Sequence, residues 1–221
     1  MEFYNKQDII NIEFSKFVKK VGIKLSGGID SAIVCYMLAL YVKEERPDTV
    51  IHPISCIAEN KPFQEVYAKR VMNKITELTG VNFGEHFIGT IRTDAANNYI
   101  GDMSDIVMDL YKQKKIQAHF VGLTANPSKK KAPELYDGKH IYDKGRKKKK
   151  HHKKPQRYGV RSFRPLINID KRGVQELYKS LGVLDSLLPE TRSCEVFTEN
   201  WSVICKDCWS CREKHWGFGH Y

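Results

Sequence analysis

A glycine turn between a short strand and a helix is the feature that most constrains the fold of this chain. Residues Val21–Leu25 form an apolar run that is typical of a buried strand. Ser26-Gly27-Gly28 follows at once, and from Asp30 to Lys43 the apolar residues recur at helical spacing. Two adjacent glycines let the backbone turn sharply and approach a ligand without obstruction by side chains. The pattern therefore predicts a strand–turn–helix unit with a ligand site at its turn.

Strands and helices alternate along most of the sequence. We predict further strands at Thr49–Ile57, Glu85–Gly89 and His119–Leu123, and further helices at Pro62–Thr79, Asp105–Ile116 and Lys171–Leu181. The strand pattern resumes at Leu166–Ile169, and residues 5–19 are predicted to form a short amphipathic helix. This alternation predicts an α/β fold, with a mainly parallel sheet and helices on both faces. In such sheets the ligand lies at the carboxyl ends of the strands.

The glycine turn is suited to bind phosphate. The N–H groups of the turn and of the first helical turn converge on one point, where the helix dipole also favours negative charge. We expect Asp30 or Ser31 to cap the helix, and the hydroxyls of Ser26 and Ser31 to add hydrogen-bond donors. Neither the Walker pattern nor the G-x-G-x-x-G pattern fits this segment.

Four of the six cysteines fall within 18 residues of one another, at Cys194, Cys205, Cys208 and Cys211. Because four thiolates suit a tetrahedral Zn²⁺ with no open position, the spacing predicts a structural zinc site. An iron–sulfur cluster is the competing interpretation, since thiolates alone do not separate the two. The other two cysteines, at positions 35 and 56, are expected to be buried core thiols.

Positive charge is concentrated in one segment of the chain. Residues 129–157 hold 13 Lys/Arg and three acidic residues, so they carry +10 of the net charge of +11. The rest of the chain is nearly neutral, unlike a uniformly basic nucleic-acid binder. Three interpretations of the segment are open: a solvated loop, an active-site lid, and a patch for nucleic-acid backbone. The wider stretch 124–160 is predicted to be a basic insertion or lid.

The remaining expectations concern domains and location. We assign residues 1–190 to one α/β domain and residues 191–221 to a small metal-binding region. No run approaches 18 consecutive apolar residues, so the sequence predicts no transmembrane helix. The first residues lack a basic stretch followed by an apolar run, so we expect no secretory signal and a cytoplasmic location.

The sequence Ser26-Gly27-Gly28-Ile29-Asp30-Ser31 resembles the SGGxDS motif of the ATP pyrophosphatase (PP-loop) superfamily. These enzymes cleave ATP between its α- and β-phosphates to adenylate a substrate. The resemblance implies an ATP site formed by Leu25, Ser26, Gly27, Gly28, Ile29, Asp30 and Ser31. It implies catalytic roles for Asp30, Ser31 and Lys171, with Asp30 as a direct or water-mediated ligand of Mg²⁺ on the phosphates. Lys171 either contacts a phosphate or carboxylate, or is a solvated lysine in the first turn of its helix.

The glycine turn and the cysteine cluster together resemble the 7-cyano-7-deazaguanine synthase family. Thr191-Arg192-Ser193-Cys194 is similar to the family's Thr-Trp-Ser-Cys, with Arg192 in the place of Trp. The stretch from Cys211 to Phe218 is similar to its Cys-x-x-Arg-x-x-Gly-Phe region, with the arginine shifted. Arg164-Pro165-Leu166 and Leu181-Gly182-Val183 also follow the family. The resemblance covers most of the chain.

Two segments depart from that family. Ser55–Asn60 stands where the family usually has Asp-Tyr-Gly-Gln-Arg-His, and Thr124–Ser128 is only loosely similar to its Asp-x-Ser segment. The resemblance implies a ligase that adenylates 7-carboxy-7-deazaguanine and converts it with ammonia to 7-cyano-7-deazaguanine, a precursor of queuosine and related 7-deazaguanines. ATP, Mg²⁺ and Zn²⁺ are the implied cofactors. No membrane partner is expected, and a homodimer is left open.

The alternative is another PP-loop enzyme, a thiolase or lysidine-type ligase that modifies tRNA. Residues 129–157 would then hold the RNA, an arrangement that the sequence favours less because no separate RNA-binding domain is evident. A third hypothesis is a non-catalytic nucleic-acid-binding zinc protein. The intact SGGxDS sequence argues against that hypothesis.

Overall fold

The structure is a computed structural model that describes residues 1–6, 8–58, 61, 63–93, 99–100, 103–136, 146, 157–158, 161–196 and 203–221. The strands are β1 (Glu2–Tyr4), β2 (Ile9–Asn11), β3 (Lys20–Lys24), β4 (Val50–Ala58), β5 (Phe87–Thr93), β6 (Tyr99–Ile100), β7 (Ala118–Val121), β8 (Arg157–Tyr158) and β9 (Ser162–Phe163). The helices are α1 (Ile29–Glu45), α2 (Phe63–Thr79), α3 (Met103–Lys112), α4 (Lys171–Ser180), α5 (Leu184–Leu187) and α6 (Trp209–Phe218), with 3₁₀ turns at Pro133–Leu135 and Leu188–Glu190.

The central sheet has the strand order β6-β5-β4-β3-β7-β9-β8. Strands β5, β4, β3, β7 and β9 run parallel, whereas β6 and β8 pair antiparallel at the two edges. The chain passes from β3 outward to β4 and β5, and later returns to β7 on the other side of β3. The strand order therefore switches at β3, whose carboxyl end leads into the glycine turn. Open α/β sheets bind their ligands at such a switch point.

Helices cover both faces of the sheet, as the sequence predicts. Ile51 of β4 packs in a large apolar cluster with residues of α1, α2 and α4. Ile54 packs in a second cluster with Val107 and Leu110 of α3. Because Ile51 and Ile54 differ by an odd number of positions, their side chains point to opposite faces of the strand. Helix α1 is buried on almost all sides, since it lies between the sheet and the helices α2 and α4.

The predicted helix over residues 5–19 is wrong, because β1 and β2 form an antiparallel hairpin there. Ile10, Ile12 and Phe14 are buried and alternate with more exposed polar residues, which is the two-residue period of a strand. Phe17, which a helix over residues 5–19 would place on the same face as Ile10 and Phe14, is exposed. Three buried apolar residues, Ile10, Phe14 and Val18, fit both periods, and the pairing with β1 decides between them.

The predicted strand at Leu166–Ile169 is also wrong. This run forms turns, with Ile169 N–H donating to Leu166 O at 3.0 Å, and the strand of this region is the earlier β9. The apolar side chains of this run are buried although the run is not a strand. A short apolar run in the sequence therefore did not distinguish a buried turn from a buried strand. The other predicted strands and helices are confirmed with shifted ends; β5, for example, begins two residues later than predicted and extends to Thr93.

Most of the predicted basic insertion at 124–160 lies outside the described residues, apart from 124–136, 146 and 157–158. The division into domains at residue 190 stays a prediction. Cys35 and Cys56 are buried, as expected. In the described part of the chain, no helix is both long and apolar enough to cross a bilayer.

The fully buried Tyr178 tests how α4 is fixed to the start of α1. Its hydroxyl donates to Ile29 O at 2.8 Å. We expect Tyr178→Phe to lower the free energy of unfolding by about 1 kcal/mol, because one buried hydrogen bond is lost. Urea unfolding measures this change. Tyr4→Phe, which alters a hydroxyl on an exposed tyrosine, is the matched control, and an equal effect of both substitutions would contradict the assignment.

Candidate functional site

The glycine turn is fixed by its own torsion angles and by α2. Leu25 N–H donates to Ile54 O at 2.8 Å, which extends the pairing of β3 with β4 to the edge of the turn. Gly27 has φ +76°, in the left-handed region that favours glycine. A Cβ at Gly27 would also lie 2.8 Å from the backbone nitrogen of Ala68 in α2. Any other residue at this position would have to move α2 away from the turn.

Ser26 and Ser31 stabilise the turn through hydrogen bonds within it. The Ser31 hydroxyl donates to Gly28 O at 3.0 Å and lies 3.2 Å from the Ser26 hydroxyl. Ser31 Oγ also accepts from Ser26 N–H at 3.3 Å, and Ser26 Oγ accepts from Gly28 N–H at 3.3 Å. The hydroxyls therefore shape the turn, and their expected role as donors to phosphate stays a prediction.

The start of α1 has no side-chain cap. Gly28 is the residue that precedes the helix, and no side chain caps it in the described structure. The expectation that Asp30 or Ser31 caps α1 is therefore wrong, because both residues lie inside the first turn. N–H groups of a first helical turn have no acceptor within the helix and carry the positive end of its dipole. This end of α1 faces the carboxyl edge of the sheet and is suited to an anion.

Asp30 and Lys171 form a buried ion pair beside the turn. Lys171 Nζ contacts Asp30 Oδ2, and the two side chains are 8% and 19% exposed. Lys171 is the first residue of α4, which Asp170 caps by accepting from two backbone N–H groups. Lys171 is therefore not a solvated first-turn lysine. Among the described residues, Asp30 Oδ1 is buried and has no hydrogen-bond partner.

A cavity of about 460 Å³ opens over the turn and the ion pair. Its apolar lining includes Ile29, Phe63, Met103 and Val121. Its charged lining consists of Lys24, Lys61, Lys171 and Arg192 against Asp30 and Glu195. Because the cations outnumber the carboxylates, the cavity favours an anionic ligand that also has an apolar part.

Arg192 is a residue of this site whose contacts the sequence did not predict. Its backbone N–H donates to Gly27 O at 2.9 Å, so it touches the turn directly. Its guanidinium lies 4.6 Å from the ring centre of Phe63 and donates to Val203 O at 3.1 Å. Arg192 thus joins the glycine turn, α2 and the cysteine region. The one signal in the sequence for a special role of Arg192 was its position, where the similar family motif Thr-Trp-Ser-Cys has Trp.

Glu195 lines the cavity and is held in place by two partners. Lys61 Nζ lies 3.0 Å from Glu195 Oε2, and the Ser210 hydroxyl donates to Oε1 at 2.6 Å. Burial raises the pKa of Glu195, but the Lys61 charge and these hydrogen bonds outweigh it, so the pKa is lower than usual. Glu195 therefore stays a carboxylate at neutral pH.

The four clustered cysteines meet as the sequence predicts. The sulfur atoms of Cys194, Cys205, Cys208 and Cys211 all lie within 4.8 Å of one another. Cys205 Sγ is 3.6 Å from Cys194 Sγ and 3.9 Å from Cys211 Sγ. Cys208 precedes α6, and its N–H donates to Cys205 Sγ at 3.3 Å. Such a set of thiols, two of them buried, can hold a metal ion.

No protein-family model matches the chain, and no curated protein matches it in sequence. Among solved structures, the chain is similar to "U34-tRNA thiolase NcsA from Methanococcus maripaludis with its [4Fe-4S] cluster", at 15% identity and a TM-score of 0.46. The match covers 88% of this chain and 63% of that protein, so the chain spans less than two thirds of its length. A likeness this distant assigns neither the activity nor the cluster of that protein to this chain.

The cysteine geometry predicts that loss of one thiol removes the metal. We expect the purified protein to hold about one metal ion or cluster per chain, and Cys205→Ser to lose it and to unfold at lower temperature. Elemental analysis and thermal unfolding measure both effects. Cys35→Ala removes a buried thiol outside the cluster and should retain the metal. Equal metal contents in the two variants would exclude Cys205 as a ligand.

Proposed function

We propose that this chain is an ATP-dependent enzyme of the PP-loop type, which cleaves ATP between the α- and β-phosphates and transfers AMP to a substrate. The observation that carries the proposal is the uncapped start of α1 at the switch point of the sheet, directly after Ser26-Gly27-Gly28. The Asp30–Lys171 pair lies against this helix start, within the same cavity. Helix end, lysine and carboxylate are the groups that ATP phosphates and their Mg²⁺ require.

Each of these groups has a separate task in the proposed reaction. The first-turn N–H groups of α1 bind phosphate oxygens, and the close approach that Gly27 and Gly28 permit brings the backbone to them. Lys171 supplies a positive charge where negative charge develops on the oxygens of the α-phosphate. Ser26 and Ser31 keep the turn in shape, so little reorganisation accompanies the reaction.

Asp30 fits the role of a Mg²⁺ ligand. Its Oδ1 is buried and has no hydrogen-bond partner in the described structure, while Oδ2 contacts Lys171. A buried carboxylate oxygen without a donor is suited to a hard cation. Mg²⁺, when bound, neutralises phosphate charge; the contribution of the chain is the oriented Asp30 carboxylate and the nearby Lys171 ammonium.

For the substrate, we propose 7-carboxy-7-deazaguanine, as the sequence resemblance implies. A carboxylate oxygen attacks the α-phosphorus and pyrophosphate leaves. Ammonia then attacks the carbonyl carbon and expels AMP, which leaves an amide. Adenylation of the amide oxygen by a second ATP releases a second pyrophosphate, and loss of AMP and two protons then yields the nitrile. The excess of cations and the Phe63 ring in the cavity lining support a flat anionic substrate.

We also propose that the bound metal is zinc. Four sulfurs at about 2.3 Å from one tetrahedral ion stand about 3.8 Å apart. Two of the observed separations are 3.6 and 3.9 Å, and all of them are within 4.8 Å. The thiolates of a cubane iron–sulfur cluster bind four different irons and must stand further apart. A zinc site closed by four thiolates has no open position, so it supports the cavity wall at Cys194 rather than the chemistry.

One observation favours the tRNA-modifying alternative. Arg146 belongs to the basic segment 129–157, and its guanidinium is buried in contact with Glu213, whose other oxygen lies 4.0 Å from Lys171 Nζ. At least one residue of that segment therefore reaches the ATP site. A polyanion bound by the segment would lie close to the cavity.

The role of Asp30 gives the sharpest test of the ATP site. We expect Asp30→Asn to lower the rate of AMP formation at least about 100-fold, because the carboxylate proposed to bind Mg²⁺ at the phosphates is lost. Asp185→Asn changes an exposed aspartate at the start of α5 and should leave the rate unchanged. Pyrophosphate release measures the rate, and circular dichroism checks the fold. Undiminished AMP formation in Asp30→Asn would remove this residue from the mechanism.

An isotope label and a deletion distinguish the two candidate substrates, 7-carboxy-7-deazaguanine and tRNA. With ¹⁸O in the carboxylate of 7-carboxy-7-deazaguanine, we expect one labelled oxygen to appear in AMP. Deletion of residues 147–154 should then leave kcat nearly unchanged. If tRNA is the substrate, the same deletion should weaken RNA binding and flatten its salt dependence, since each lost phosphate contact changes the slope by about 0.7 for a single strand. Activity on tRNA alone, lost with the deletion, would overturn the proposed substrate.

A further inference from the structure

A network of four side chains with alternating charge extends from Asp30, beside the glycine turn, to the buried Arg146. Lys171 Nζ contacts Asp30 Oδ2 and lies 4.0 Å from Glu213 Oε2. Glu213 Oε1 in turn accepts from the guanidinium of Arg146. The side chains of Lys171, Glu213 and Arg146 are 8%, 4% and 11% exposed. These four side chains are two cations and two carboxylates, so their formal charges cancel.

Arg146 is fixed by more than its ion pair. Its Nε donates to Thr124 O at 3.1 Å. Its Nη2 donates to Thr124 Oγ1 at 3.0 Å and to Ala125 O at 3.1 Å. These acceptors lie in the segment that follows β7, at the carboxyl edge of the sheet. The guanidinium is thus anchored to the backbone and presents a fixed charge to Glu213.

Glu213 is equally constrained, because α6 packs closely on the start of α4. A Cβ at Gly217, one turn after Glu213, would lie 2.9 Å from the backbone carbonyl carbon of Lys171. Gln175 Nε2 also donates to Phe218 O at 3.2 Å, which ties the two helices further along. The packing of α6 on α4 therefore fixes Glu213, whose Oε2 lies 4.0 Å from the Lys171 ammonium.

Stability alone gives a poor account of these four charges. Burying ions carries a large desolvation cost, and replacing a buried ion pair by apolar residues is often neutral or stabilising. The charges instead meet at Lys171, which contacts the Asp30 carboxylate beside the glycine turn. In the proposed reaction, Asp30 binds a cation through Oδ1 and Lys171 turns toward phosphate, so Lys171 exchanges its contact with Asp30 Oδ2 for one with phosphate.

We propose that Glu213 and Arg146 are positioning residues for Lys171 in the ATP reaction proposed above. The Glu213 carboxylate keeps the Lys171 ammonium in place while the ammonium exchanges its contact with Asp30 for one with phosphate. Arg146 keeps the Glu213 carboxylate in the orientation that allows this. Lys171 has a long, flexible side chain, and a second carboxylate reduces the entropy lost when the ammonium is fixed in the transition state. This inference depends on the proposed function, because it assigns roles within the same site.

The test compares Glu213→Gln with a matched control. We expect Glu213→Gln to lower kcat for AMP formation at least about 10-fold, while KM for ATP changes much less, because misplacement of a catalytic charge acts on the transition state. Glu176→Gln removes a carboxylate of α4 that pairs with Lys6 at the surface, and should leave kcat unchanged. Equal kcat values for Glu213→Gln and wild type would overturn the inference.

A double variant separates positioning from stability. Glu213→Gln leaves Arg146 as a buried charge without its carboxylate and can unfold the protein for that reason alone. Arg146→Met combined with Glu213→Leu removes both charges, so the free energy of unfolding in urea should return toward that of wild type. We expect kcat to stay low in this variant. Recovery of kcat together with stability would show that the pair is only structural and would overturn the inference.

The assay of AMP formation separates a failure of the positioning role from a failure of the proposed function. AMP formation by wild type with a normal dependence on Asp30, but with no effect of Glu213 or Arg146, refutes the positioning role and leaves the proposed function intact. Absence of AMP formation by wild type with every acceptor refutes the proposed function, and the positioning role for that reaction is refuted with it.

Discussion

The buried ion pair of Asp30 and Lys171 is the interaction on which the arrangement of the site depends. The two residues are 141 positions apart in sequence, and a buried charge is tolerated only where a partner neutralises it. The pair therefore requires the start of α4 to lie against the start of α1. The Tyr178 hydroxyl, which donates to Ile29 O, adds a second fixed contact between the same helices. Both helices then face the carboxyl edge of the sheet at the switch point beside β3.

The C-terminal part of the chain contributes residues to this site. Arg192 N–H donates to the carbonyl of Gly27, and Cys194 lines the cavity over the turn. Helix α6 begins at the cysteine cluster and brings Glu213 to Lys171. A metal held by the four sulfurs would fix the cavity wall and α6 together. On this account the metal acts on the ATP site through the positions of these residues.

Local patterns predicted the parts of the site that lie within a few residues of one another. The strand, the glycine turn and α1 followed from residues 21–43, because a glycine pair between two periodic segments leaves few other conformations. The meeting of three cysteines followed from their spacing, and the fourth from the coordination number of the expected metal. The fold class followed from the alternation of strands and helices.

Other features depend on contacts between distant segments, which periodicity does not report. The contact of Arg146 with Glu213 spans 67 positions, and in the sequence Arg146 is one cation among the 13 of its segment. Lys171 was identified, but whether it is buried depends on α6. The hairpin at the N-terminus was missed because its apolar residues fit a helix until β1 is paired with β2. Pairing and burial decide such cases, and both are properties of the whole fold.

The central claim is that the site cleaves ATP at the α-phosphorus. The most direct measurement follows ATP labelled at the α-phosphate in the presence of each candidate acceptor and Mg²⁺, with separation of the labelled nucleotides. The account predicts that the label appears in AMP, in an amount equal to the pyrophosphate released and only when an acceptor is present. Label in ADP, with release of inorganic phosphate, would show cleavage at the γ-phosphorus and would contradict the account.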